Sequence, residues 1–251
     1  MKDKLPIYYK CNMTKGQHLL AYVIFAVLLS AMCYIFYHEV ILSIIVGCIM
    51  ALPVERMYAK STISKRQKSL RLQFKDFLSS MSVAARAGNV EIKAIKSALD
   101  DLKLTYADDS DIVREIEYIV LQYEKGGVEL KVLFEDFAER SDIVDIKNFA
   151  TIFRAIDGKN DRFGDVVVQT EEIISEKIEI EMEIETVITS AKTEATTMLF
   201  MPIVIVLVMT FLGGELMENL FSTTGHIVAS IALIIFVISF ILTTKTTDIK
   251  V

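Results

Sequence analysis

At 251 residues, with 53% hydrophobic and 24% charged side chains, the chain is too apolar for an ordinary soluble domain and too charged to lie wholly in a membrane, so its hydrophobicity must be segregated along its length. The net charge of −6 equals the excess of eight Glu over two Lys between residues 171 and 194, which makes the imbalance one local acidic face and gives no footing for nucleic-acid binding. Three Cys, at 11, 33 and 48, sit in the opening arm or in apolar runs and suggest no disulfide framework.

Residues 1–17 form an arm carrying Lys2, Lys4, Lys10 and Lys15. Stretches without Asp, Glu, Lys or Arg then occur at 16–38, 40–54, 195–214 and 219–244, and are read as four membrane segments. The second is short, since fifteen helical residues reach only about 22 Å of a hydrocarbon core roughly 30 Å thick. The long basic arm and the second apolar run directly after Glu39 argue against a cleaved signal peptide. Ser43, Gly47 and Ala51 recur every fourth residue, a stripe that would let another helix approach closely or that could arise by chance.

Orientation follows from the basic residues. Arg56, Lys60, Lys65, Arg66, Lys68, Arg71 and Lys75 follow the second segment with no acid among them, whereas the short connections hold only Glu39, or Glu215 and Glu218. Lys and Arg beside a span are retained in the cytoplasm, so both termini and the middle domain are expected inside. The expected division is an arm at 1–17, a membrane hairpin at 18–54, a cytoplasmic helical domain at 55–194, a second hairpin at 195–244 and a tail at 245–251.

The middle domain reads as a six-helix bundle. Leu70, Phe74, Phe77, Leu78, Met81, Ala84 and Ala85 form an apolar stripe that stops at Gly88-Asn89, a left-handed cap. Ile92, Ile95, Leu99 and Leu102 make the next, ending in polar residues 105–110. Residues 109–111 supply caps for a third helix with Ile112, Ile116, Ile119 and Tyr123 on its face, closed by Gly126-Gly127. Leu130, Leu133, Phe134 and Phe137 form a short fourth. Ser141 or Asp142 opens a fifth with Ile146, Phe149, Phe153 and Ile156, and it stops at Gly158. After a turn at 159–164 comes a long sixth helix that passes without a break into the third membrane segment. Its apolar positions are Ile173, Ile180, Ile184, Val187, Ala191 and Ala195. The alternation from Ile178 to Glu185 resembles a strand, but residues 165–201 contain neither Gly nor Pro, and Glu and Ala favour helix. On a helix, that alternation puts Ile180 and Ile184 on one side and Ile178 and Met182 on the other, one side for the bundle and one for a second subunit.

Reactive equipment is sparse. His18, His38 and His226 all flank apolar segments, which leaves the middle domain without an imidazole base, and it has no Cys. Gly158-Lys159 lacks the earlier Gly and the following Ser or Thr of a phosphate loop. The Glu clusters lack calcium-loop spacing, and the membrane segments have no ionisable residue in their interiors to mark a transport path. The sequence therefore offers no catalytic, cofactor-binding or metal-ligating residue, no cofactor, and no enzyme.

Three stretches carry a family likeness. Residues 77–95 (FLSSMSVAARAGNVEIKAI), 112–126 and 149–202, the last with its long Glu-rich helix entering a span that contains Pro202, together resemble the type II secretion system F-domain family. Within it, the single copy of the six-helix domain resembles the shorter platform proteins of tight-adherence (Tad, or Flp) pili. Gly158-Lys159-Asn160-Asp161 departs from the Gly-Gly or Gly-Asn pair usual in the family after the fifth helix. The resemblance implies an all-α, multi-pass inner-membrane platform protein that hydrolyses nothing itself. Its implied partners are a cytoplasmic hexameric secretion ATPase, a paralogous platform protein or a second copy of itself, pilin subunits and the lipid bilayer. A membrane-anchored helical sensor is the alternative, although no outside domain and no His within a dimerisation helix supports it. The basic stretch 56–75 and the acidic face 171–185 are the candidate docking surfaces, each also explicable as a topology signal or a solvated helix side.

Overall fold

The computed structural model describes residues 5–9, 15–37, 39–156 and 163–212, with scattered helical positions between 224 and 242. Seven helices are delimited among the described residues: α1 (Lys15–Tyr37), α2 (Val40–Arg86), α3 (Glu91–Thr105), α4 (Asp111–Gly126), α5 (Leu130–Ser141), α6 (Val144–Ile156) and α7 (Phe163–Leu212). No described residue is in a strand, and the alternating stretch within 178–185 is helix, in keeping with the helix propensity of Glu and Met. Among the described residues no helix is long and apolar enough to cross a membrane. The expected span at 219–244 and the turn at 159–164 fall in large part outside those residues, whereas residues 195–212 of the third expected span lie within α7.

Two compact units emerge from the chain. One combines residues 1–12 with 60–180, and the other combines 13–59 with 181–251. The opening arm thus groups with the helical unit rather than standing apart. Two helices run through both units. α2 is a single 47-residue helix, where the sequence suggested a membrane segment followed by a separate bundle helix. The change from apolar to basic residues after Val54 alters the solvent a helix prefers, but no Gly or Pro between 54 and 86 interrupts its backbone hydrogen bonding. α7 is likewise unbroken over 50 residues, with Pro202 inside it.

In the helical unit, α3 to α6 pack with the ends of α2 and α7 around a phenylalanine core. Phe134 lies 5.2 Å from Phe149 and 4.9 Å from Phe153, and Phe74 lies 5.5 Å from Phe149, ring centre to ring centre. Phe153 meets Phe163 edge-on at 6.3 Å, which seats the start of α7. Such tilted and edge-to-face pairs add about 0.5–1.5 kcal/mol each beyond burial. Every apolar residue expected inside α2, α5 and the described part of α6 is buried, from Leu70 to Phe153. Tyr123 of α4 is exposed instead.

Turn chemistry explains most of the connections. α2 ends at Gly88 with φ +81°, and the Asn89 N–H reaches back to the Ala84 carbonyl at 3.2 Å, satisfying a terminal carbonyl of the helix. Gly127, at φ +64°, closes α4. Asp142 adopts the same left-handed conformation at φ +55° and ends α5, so neither Ser141 nor Asp142 opens α6, which begins at Val144. The N-terminus of α4 is satisfied from a distance. Gln73 of α2 accepts the Ile112 N–H at 3.3 Å, because the Asp111 carboxylate is engaged by Arg66 and Ser110 makes no side-chain cap.

Of the two sides that the alternation offers, α7 turns the Ile178 side to the core. Phe163, Val167, Ile174 and Ile178 are buried, whereas Ile173, Ile180, Ile184 and Val187 are exposed. Ile178, on the opposite side from Ile180, sets the register.

In the other unit, α1 and α2 form a hairpin in contact through the small-residue stripe. Ser43, Gly47 and Ala51 are buried. A Cβ on Gly47 would stand 2.7 Å from the Ser30 backbone nitrogen, closer than packed atoms approach, so only glycine permits the contact. Outside the seam, Leu19, Leu20, Val23, Ile24, Val27 and Leu28 of α1 are exposed, as are Ile41, Ile44, Ile45 and Ile49 of α2.

Candidate functional site

Polar chemistry in the helical unit gathers at two buried carboxylates that sequence reasoning passed over. The first is Asp145, 2% exposed in the opening turn of α6. It accepts a hydrogen bond from Arg71 of α2 and another from Lys177 of α7, the latter at 2.8 Å. The two helices that continue beyond the helical unit are therefore both bound to one anion on a helix that does not. A buried carboxylate without partners would cost several kcal/mol, and two cations with direct hydrogen bonds offset that.

The second is Glu115, fully buried in α4. Arg140 of α5 clasps it with two bonds of 2.6 and 2.7 Å, and the Tyr8 hydroxyl donates a third at 2.8 Å. Arg140 also binds Asp136 at 2.7 Å. Burial pushes the Glu115 carboxyl above the ordinary carboxylate range, while the Arg140 guanidinium and the Tyr8 hydroxyl pull it back down. The same burial, with the negative charge of Glu115 beside it, drives the Tyr8 phenol far up. With three donors aimed at two oxygens, the geometry is that of an ionised carboxylate.

A faint sequence signal marked both. Position 115 lies three after Ile112 and four before Ile119, and position 145 lies four before Phe149, so each acid interrupts an apolar stripe. Tyr8 carried no such signal.

The candidate docking stretches come apart in the structure. Within 56–75, Arg66 and Arg71 turn into the helical unit, Arg66 binding Asp111 with two bonds of 2.8 and 2.7 Å, while Lys65 is exposed. Side chains 53–60, including Arg56 and Lys60, lie outside the described residues. Within 171–185, Glu171 accepts from Ser175 at 2.8 Å and Glu172 meets Arg86 at 3.3 Å, while Glu176, Glu179 and Glu183 are exposed. A cleft of about 220 Å³ lies where α2 ends and α7 begins, lined by Gly88, Asn89, Glu91, Phe163, Gly164 and Asp165 among others. Its acids occupy the first turns of α3 and α7, where a negative charge complements the helix dipole and needs no ligand. Among the described residues no group of three or more His, Cys, Asp or Glu is placed to hold a metal ion. No protein-family model, curated protein or solved structure matches the chain.

Proposed function

We propose that this protein is a membrane-anchored assembly platform of the tight-adherence pilus type. Its helical unit would receive a push from a cytoplasmic hexameric ATPase and pass it to membrane segments at 18–54 and 195–244, where pilin subunits are extracted. The observation that carries this reading is the continuity of α2 and α7 through both units. At 47 and 50 residues they run about 70 and 75 Å as helices, with Pro53 within α2 and Pro202 within α7, and on this reading displacement passes along them.

Two further observations support it. The α1–α2 hairpin pairs through small residues and exposes aliphatic ones, the arrangement suited to a hydrocarbon solvent rather than water. The polar residues of the helical unit are used to fasten helices to one another at Asp145 and Glu115. With the basic residues retained inside, both termini and the helical unit face the cytoplasm of an inner membrane. Self-association or pairing with a paralogue gives the exposed Ile180 and Ile184 side of α7 a partner.

The test is to tag the chain, solubilise it in detergent, and ask what co-purifies. A secretion-type ATPase, a paralogous platform protein and pilin are expected. Their absence, together with labelling that places residues 65–190 outside the cell, would overturn the reading. A flexible Gly-Ser insertion beside Thr189 tests transmission directly: a stably made protein with normal piliation would show that α7 carries no force.

A further inference from the structure

We infer that residues 5–9 are a strap that clamps α4 and α5 to α2, with Tyr8 as its latch. Leu5, Pro6 and Ile7 are half-buried and Tyr8 is 1% exposed, although this arm belongs to no helix and lies far from its contacts in sequence. Three independent contacts hold Tyr8, each to a different helix. Its hydroxyl donates to Glu115 of α4. Its backbone N–H donates to the Arg140 carbonyl of α5 at 2.9 Å. Its ring lies against the Arg66 guanidinium of α2, 4.8 Å from the ring centre.

The backbone contact explains why an irregular segment is needed there. The last carbonyls of a helix have no partner within it. At the end of α5 the Tyr8 N–H takes the Arg140 carbonyl, and the Gln67 side-chain amide of α2 takes the Ser141 carbonyl at 3.0 Å. The arm therefore serves as an external cap for α5. The ring contact adds a second bond across the unit, because the guanidinium beneath Tyr8 is itself fixed by Asp111 at the start of α4. One residue thus ties both ends of the α4–α5 pair to α2.

Amide hydrogen exchange on the full chain in detergent micelles tests this. In the wild type, the Tyr8 amide should exchange at least about tenfold more slowly than one in an unstructured segment. Y8A should remove that protection and speed exchange in the last turn of α5 and the first turns of α4, leaving α6 unchanged. Y8F, which keeps the ring and the backbone bond, should lie between. Fast exchange of the Tyr8 amide in the wild type would overturn the strap, as would Y8A without effect. Equal loss of protection in α6 would also overturn it, because Tyr8 would then be a general core residue and not a local latch.

Discussion

Lys177 of α7 donates to Asp145 of α6 at 2.8 Å, although 32 residues separate them and most of the acids near Lys177 in sequence lie on its own helix. The pairing matters because Asp145 is already bound by Arg71 of α2. Both rods that leave the helical unit are thereby referred to one fixed point within it.

Removing that point should cost more than removing either end. The Asp145 side chain is 3% exposed, while that of Lys177 is 46% exposed and hydrated. D145A removes the buried carboxylate that Arg71 and Lys177 share and should destabilise the helical unit by about 3–5 kcal/mol. K177A removes a screened contact and should cost less than about 1 kcal/mol. Denaturant midpoints of the two variants, compared at constant slope, check the ordering.

The aromatic core gives a second expectation. Phe134 touches Phe77, Phe149 and Phe153 and has no exposed surface. F134A should lose about 3–5 kcal/mol, while F134L, which refills much of the space, should lose distinctly less. A bundle that collapses around the truncated side chain without leaving a cavity would show instead as a small and equal loss in both.

Periodicity made this core legible, because burying one face of an amphipathic helical stretch leaves only one solution for residues such as Leu70, Phe74 and Phe77. The caps at Gly88 and Gly127 were legible because a left-handed turn excludes most other residues. α7 was not, since alternating Ile and Glu present an apolar residue to each side and spacing alone cannot choose between Ile178 and Ile180. The polar fastenings were hidden for another reason. A carboxylate on an apolar face is tolerated only where distant donors converge, and Tyr8, Arg140, Arg71 and Lys177 are brought to Glu115 and Asp145 by the fold itself.

Alkaline pH should loosen the connection between α2 and the α3–α4 turn. Tyr106 donates its hydroxyl to Asp76, and burial together with that bond pushes its phenol up to about 12. An unfolded tyrosine ionises near 10. The folded state holds the proton that the unfolded state releases, so this contribution is intact below pH 10 and is lost as pH rises from about 10 to about 12. The stability difference between wild type and Y106F should therefore shrink across that window. A difference that stays constant from pH 9 to 12 would show that the hydroxyl is not held in this bond.

The hairpin offers the sharpest steric test. A methyl group at position 47 would collide with the Ser30 hydroxyl and would lie 2.7 Å from the Ser30 backbone nitrogen and 2.9 Å from its Cα. The hydroxyl can rotate away, but the backbone of α1 cannot yield without moving the whole helix. G47A should therefore separate α1 from α2, at about 1–3 kcal/mol for overpacking, and the double variant S30G/G47A should not recover the wild-type contact. Cys33, buried in α1, is a ready reporter. In a background in which Cys11 and Cys48 are replaced by Ser, maleimide labelling of Cys33 in detergent should be slow while Gly47 is kept and several-fold faster once G47A is added. Equal labelling would mean that α1 and α2 do not depend on close approach at this glycine, and the small-residue stripe would lose its role as the seam of the hairpin.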